Sequence, residues 1–137
     1  MARDPRPIVL LISGDPRFIY LIERYGRSSG CRVVGANTEE EALTQIHHER
    51  PTLILLDVYL PPLDCWHIFA ALKADRATHD IPAAVCSAIT EEARAWEEGA
   101  DYWLAQPVLY EDFLTVLAAT GTLPPHTSLL EPGGGAP

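Results

Sequence analysis

The sequence lacks any apolar run that approaches the ~18 consecutive residues needed to cross a membrane. It also lacks a signal peptide, because its first apolar run, residues 8–12, is too short for the central region of one. We therefore expect a cytoplasmic protein that has no contact with a membrane.

Basic residues are few. The 10 lysines and arginines stand against 19 aspartates and glutamates, so the formal net charge is −9. Affinity for nucleic acid comes largely from Lys and Arg side chains on phosphates. No predicted helix carries a cluster of them, so we expect no nucleic-acid partner and attribute the acidity to solubility.

The common motifs of metal and nucleotide chemistry are missing as well. The three cysteines form no Cys-x-x-Cys pair, and the five histidines show no zinc-ligand spacing. In a cytoplasmic chain we expect Cys31, Cys65 and Cys86 to be reduced, semi-buried thiols. There is no Gly-x-Gly-x-x-Gly or Walker loop and no motif supporting a Ser/His/Asp triad. We therefore expect a protein that is not an enzyme.

Five short apolar runs are present at regular intervals along the chain. They are nearly continuous rather than alternating, which is typical of parallel strands buried on both faces of a sheet. The predicted strands are residues 7–12, 31–35, 53–56, 82–86 and 102–104.

Helical patterns fill the intervals between these runs. Asp15 is predicted to cap the first helix, with Pro16 at its first position. Thr38 and Glu41 form a capping-box pattern at the start of the second helix. Asp64 is predicted to cap the third, and Thr90 to open the fourth. The apolar residues at helical spacing are Phe18, Leu21, Ile22, Tyr25, Ala42, Leu43, Ile46, Ile68, Phe69, Leu72, Phe113, Val116 and Leu117.

The alternation of strands and helices predicts one (βα)5 domain over residues 1–119. This is an α/β, doubly wound, flavodoxin-like fold with five parallel strands, for which 2-1-3-4-5 is a common strand order. Residues 120–137 hold four prolines and four glycines, and we expect them to form a disordered tail. No output domain follows in this sequence, so we expect a stand-alone domain.

Polar residues follow four of the predicted strands. Since ligands of open parallel sheets bind at the carboxyl ends of the strands, these positions are the candidate site. They are Ser13, Gly14, Asp15, Asp57, Ser87 and Gln106.

The sequence around three of these ends resembles the receiver domain of response regulators. The resemblance is carried by residues 51–61 (PTLILLDVYLP), 80–88 (DIPAAVCSA) and 99–107 (GADYWLAQP), and it extends over about residues 8–117. It implies a chemotaxis-regulator-like fold and a role in two-component, or phosphorelay, signal transduction. The implied partner is a histidine kinase or another signalling protein.

The resemblance also implies residue roles. Asp57 matches the phosphoacceptor, Ser87 the switch hydroxyl and Trp103 the switch aromatic. Tyr59 and Ile89 match positions that line the mouth of the site, where two large side chains would partly cover Asp57. The Gln106–Pro107 peptide is expected to be cis.

Three positions depart from the family pattern. Ser13 and Gly14 replace the two acids that hold Mg²⁺, and Gln106 replaces the lysine that neutralises phosphoryl charge. Mg²⁺ requires oxygen ligands in near-octahedral geometry, and here only Asp57 and the Tyr59 backbone would remain. Asp15 comes one residue too late. We therefore predict weak Mg²⁺ binding and an atypical receiver with impaired phosphorylation, because phosphoryl transfer relies on electrostatic stabilisation.

The residues are also compatible with other functions. Asp57 could be an ordinary acid at a strand end, solvated or capped by backbone N–H groups. The domain could be a phosphorylation-independent interaction module, or a homodimer, that uses the last two helices and the fifth strand around Trp96, Trp103 and Tyr110. A flavin- or nucleotide-binding enzyme on a flavodoxin-like fold ranks last.

Overall fold

The structure is a computed structural model that describes residues 4–58 and 65–123. Its strands are β1 (Ile8–Ile12), β2 (Arg32–Ala36), β3 (Leu53–Asp57), β4 (Ala83–Ser87) and β5 (Tyr102–Ala105). Its helices are α1 (Pro16–Ser29), α2 (Glu39–Glu49), α3 (Cys65–Ala74), α4 (Glu92–Glu97) and α5 (Tyr110–Ala119). None of these helices is long and apolar enough to cross a membrane.

The five strands form one parallel sheet in the order β2-β1-β3-β4-β5, which confirms the predicted topology. The central strand β3 and its neighbour β4 are buried at every position. The register places Asp57 beside Cys86, and Ser87 beside Ala105. The carboxyl ends of β1, β3, β4 and β5 therefore share one edge of the sheet.

The helices cover both faces of the sheet. Phe18 and Ile22 of α1 and Phe113 of α5 belong to the core cluster on one face. The cluster on the other face includes Ile46 of α2 and Phe69 of α3. Because each face meets a layer of helices, alternate residues of a strand are buried on opposite sides, which explains the continuous apolar runs.

The predicted helix starts are confirmed for α1 and α2. The Asp15 carboxylate accepts from the Arg17 N–H at 3.0 Å, and Pro16 occupies the first helical position. Thr38 Oγ1 accepts from the Glu41 N–H at 3.0 Å. The Glu41 carboxylate accepts in turn from the Asn37 N–H, one residue before the cap itself.

The fourth helix begins later than predicted. Residues Ile89–Glu91 form a 3₁₀ turn, in which the Glu91 N–H donates to Ala88 O, and α4 begins only at Glu92. Thr90 therefore does not open the α-helix, because the tighter i→i+3 bond already occupies this segment. The predicted cap Asp64 and most of the predicted tail lie outside the described residues, and the boundary at residue 119 stays a prediction.

The three cysteines are buried rather than semi-buried, and all are free thiols. Cys86 is fully buried beside Asp57, and burial and the negative carboxylate raise the pKa of its thiol. It therefore stays protonated and packs as an apolar side chain.

Candidate functional site

Asp57 is the last residue of β3 and lies at the centre of the shared edge. Its side chain is only 4% exposed, so it is not the solvated acid of the alternative reading. One carboxylate oxygen, Oδ2, accepts from Ser13 Oγ at 2.7 Å. The other, Oδ1, accepts from Gln106 Nε2 at 2.8 Å. Each oxygen of the carboxylate is thus bonded by the side chain of a neutral residue.

Ser13 follows β1 and is buried. Its Oγ accepts from the Asp15 N–H at 3.0 Å while it donates to Asp57, so it joins the turn before α1 to the end of β3. Its own N–H donates to Ala36 O at the end of β2. The next residue, Gly14, adds no side chain. The sequence predicted that Ser13 stands in place of a metal-binding acid, but it did not indicate that Ser13 donates to Asp57.

Gln106 follows β5, and its side-chain amide is held by two acceptors. Nε2 donates to Asp57 and also to Cys86 O at 3.2 Å, and the backbone N–H donates to Ser87 O. The Gln106–Pro107 peptide is cis, as predicted. The amide therefore gives Asp57 a neutral hydrogen bond at the position where the resemblance implies a charged lysine.

Ser87 and Trp103 are joined directly. The indole Nε1 of Trp103 donates to Ser87 Oγ at 2.8 Å, and Ser87 Oγ donates to Ala88 O at 3.1 Å. The residues predicted as switch hydroxyl and switch aromatic are therefore hydrogen-bonded to each other. Nothing in the spacing of the sequence indicated this bond.

The mouth of the site differs from the sequence prediction at Ile89, which is 71% exposed. An isoleucine so open to solvent does not cover the buried Asp57. Tyr59, the other residue expected there, lies outside the described residues.

The residues of this edge do not fit the Mg²⁺ ion that the fold family implies. Within residues 4–58 and 65–123, no group of three or more His, Cys, Asp and Glu could hold a metal. The Ser13 hydroxyl turns its proton to Asp57, and the Asp15 carboxylate caps α1. Mg²⁺ prefers carboxylate and phosphate oxygens in near-octahedral geometry, and this set offers one carboxylate whose oxygens both accept hydrogen bonds.

A groove of about 390 Å³ lies between α4, β5 and α5, and Trp96, Trp103, Asp112 and Val116 are among the residues that line it. Trp96 is 48% exposed, and its Nε1 donates to Glu92. Tyr110 was expected on this surface, but it does not line the groove. Its ring packs 5.0 Å from that of Tyr25, against the core on the α1 side, because α5 turns this residue toward α1.

Comparison with known proteins identifies the family. Residues 9–118 match the family model described as the response regulator receiver domain. The transcriptional regulatory protein PrrA of Mycobacterium tuberculosis is 32% identical over 116 residues, which cover 82% of this chain and 49% of that protein. The DNA-binding dual master transcriptional regulator RpaA of Synechocystis is 28% identical, over 93% of this chain and 57% of its own. The chain thus spans about half the length of these relatives.

Solved structures share the fold. The chemotaxis response regulator CheY4 of Vibrio cholerae superposes with a TM-score of 0.72 at 20% identity, over 84% of this chain and 98% of that one. A response regulator receiver protein from Pseudomonas putida gives 0.72 at 23% identity, over 87% and 99%. The five-stranded topology and the match over residues 9–118 agree, and the chain belongs to the response regulator receiver domain family of two-component signalling.

Proposed function

We propose that this receiver domain is impaired in Mg²⁺-dependent phosphorylation at Asp57. The observation that carries the proposal is the environment of the buried carboxylate. Ser13 and Gln106 donate to its two oxygens, at the positions where the family has a metal-binding acid and a lysine.

Electrostatics explain the impairment. Phosphoryl transfer depends on positioning and on cations that neutralise the charge of the transferred group. A hydroxyl and an amide donate hydrogen bonds but carry no charge. Since removing one electrostatic donor in an enzyme costs on the order of 10²–10³ in rate, the loss of both a metal site and a lysine leaves little acceleration.

The proposal is tested by titrating Mg²⁺ with and without beryllofluoride while following tryptophan fluorescence, and by mass spectrometry after incubation with acetyl phosphate. We expect no saturable response and no added phosphoryl group. Tight, saturable binding that disappears in Asp57→Asn would contradict the proposal.

A variant that restores the family residues sharpens this test. Ser13→Asp, Gly14→Asp and Gln106→Lys together return two acids and one cation to the edge, so we expect Mg²⁺ affinity to rise at least 10-fold. Gln106→Lys alone is the matched control, because it supplies the cation without the metal ligands. A triple variant that folds and binds Mg²⁺ no better than the natural chain would show that these positions are not the cause.

A second candidate function is a phosphorylation-independent interaction module. It is favoured by the groove beside the half-exposed Trp96, because aromatic side chains are enriched where proteins bind one another. A homodimer through α4, β5 and α5 is one form of this function. Light scattering across a concentration series measures the oligomeric state, with Trp96→Ala as the comparison. A protein that is monomeric at all concentrations would contradict the homodimer.

Receiver domains interact with histidine kinases, and a kinase is the proposed partner here. The absence of a nucleic-acid partner stays a prediction, which is based on the net charge of −9. The curated relatives are named as transcriptional regulators, and this chain covers about half of each. The stand-alone arrangement, the cytoplasmic location and the lack of enzyme activity also stay predictions. The match to a family of signalling proteins does not favour the flavodoxin-like enzyme.

A further inference from the structure

The Asp57 side chain is hydrogen-bonded to residues that follow two other strands of the sheet. Ser13 reaches it from the end of β1, and Gln106 reaches it from the end of β5, which β4 separates from β3. We infer that Asp57 has a structural role. Its carboxylate holds the ends of β1, β3 and β5 together, whether or not it is ever phosphorylated.

The directions of the hydrogen bonds require an acceptor on each side of residue 57. Ser13 Oγ accepts from the Asp15 N–H, and its own proton is directed to Asp57 because a carboxylate oxygen can only accept. Gln106 Nε2 also donates to Cys86 O, so turning the amide would set its oxygen against that carbonyl. Only a carboxylate accepts on both sides, since an amide presents one acceptor and one donor.

Burial makes this requirement costly to break. Asp57 is 4% exposed and Ser13 1% exposed, whereas Gln106 is only partly buried. The Ser13 hydroxyl, or an amide N–H placed on residue 57, therefore cannot turn to water when it lacks an acceptor. An unsatisfied buried donor loses its full desolvation energy, which exceeds the net value of an ordinary hydrogen bond. In Asp57→Asn the new amide nitrogen must face either the Ser13 hydroxyl or the Gln106 amide, and one donor loses its partner.

The side-chain bonds also add a connection that the backbone does not make. The backbone bonds at this edge join neighbouring strand ends: Ser13 N–H to Ala36 O, Val58 N–H to Cys86 O and Gln106 N–H to Ser87 O. The bond between Asp57 and Gln106 passes over β4 to the strand beyond it. Loss of this bond removes a direct link between the β3 end and the β5 end, which the backbone ladder joins only through β4.

Thermal unfolding of Asp57→Asn tests the inference. We expect the melting temperature to fall by roughly 5 °C or more in the absence of phosphodonor and Mg²⁺. Asp15→Asn is the matched control, because it removes one charge at the same edge from a carboxylate that caps α1. Asn caps a helix about as well as Asp, so this change should shift the melting temperature by less than about 2 °C. An Asp57→Asn protein as stable as the natural chain would overturn the inference.

Ser13→Ala gives a second, independent measurement. It removes one donor and should itself lower the melting temperature. In its background Asp57→Asn should cost about half of what it costs in the natural chain, because the amide no longer meets the hydroxyl. Additive losses would contradict the inference, and a neutral Ser13→Ala would contradict it even if Asp57→Asn failed to fold.

The inference concerns the site of the proposed function, but the two fail separately. A phosphoryl group found on Asp57 would remove the proposed impairment and leave the stability result unchanged. A stable Asp57→Asn would remove the structural role and leave the phosphorylation assay to decide the function.

Discussion

Trp103 shows how a single residue can change the hydrogen bonding of the site. A tyrosine or phenylalanine carries no ring N–H, whereas the tryptophan indole N–H donates to the hydroxyl of Ser87 at 2.8 Å. The same indole lines the groove between α4 and α5. The orientation of one wall of the groove is therefore coupled to the end of β4.

Ser87→Ala should release this orientation. The indole N–H loses its acceptor, which costs on the order of 1 kcal/mol, and the ring gains access to other rotamers. In a background with Trp66→Phe and Trp96→Phe, Trp103 is the sole tryptophan, and we expect broader, weaker near-ultraviolet circular dichroism from it. Ser87→Thr keeps the hydroxyl and should keep the signal. An unchanged spectrum in Ser87→Ala would show that packing alone orients the ring.

Gly26 shows how closely helix α1 packs against strand β2. It lies within α1, where glycine is ordinarily unfavourable. A Cβ at this position would lie 2.6 Å from Val33 Cγ2 of β2. The glycine therefore permits α1 to approach the edge strand more closely than any other residue would allow.

Gly26→Ala should destabilise the domain although alanine favours helices. Overpacking costs about 1–3 kcal/mol, and the gain in helix propensity recovers up to about 1 kcal/mol of it. Urea unfolding measures the difference. Gly35→Ala on β2 is the matched control, because its nearest atom, Leu11 O, would lie 3.9 Å away. A Gly26→Ala protein with a raised urea midpoint would show that Val33 moves aside at no cost.

Element boundaries were predicted well where the cap is local and less well where it is not. Asp15 and Thr38 each bond within three residues of themselves, so sequence spacing was sufficient to place α1 and α2. The start of α4 has no side-chain cap. Its six residues include one buried side chain, Ala95, and Arg94 lies 4.4 Å over the ring of Trp66 from α3. This helix depends on its neighbours, which are not visible in its own pattern.

The whole molecule contains several groups that burial keeps protonated. Desolvation raises the pKa of the thiols of Cys31 and Cys86 above 9.0, and that of the hydroxyls of Tyr25 and Tyr110 above 10.0. The unfolded chain releases these protons at the ordinary values, whereas the folded chain retains them.

Stability should therefore fall as the pH rises above about 9. The protonated groups favour the folded state fully below that pH, and the advantage is lost as the unfolded state gains charge by releasing protons. Urea midpoints measured between pH 7 and pH 10.5 test this, with Cys86→Ala as the comparison. The variant should lose less stability over that range, and an identical slope would show that Cys86 contributes nothing to it.

The sequence alone determined the fold and the position of the candidate site. Continuous apolar runs, local caps and the end of each strand are properties of short segments, and they were sufficient for the (βα)5 alternation and for placing Asp57 at the end of a strand. The strand order was expected only as the common one for five such units, and the structure has that order. Only the tertiary structure decided what surrounds Asp57. Ser13 and Gln106 lie 44 and 49 residues from it along the chain. They meet it because the strand order places β1 beside β3 and β5 beyond β4. The direction of each hydrogen bond depends on that meeting, and no local pattern encodes it.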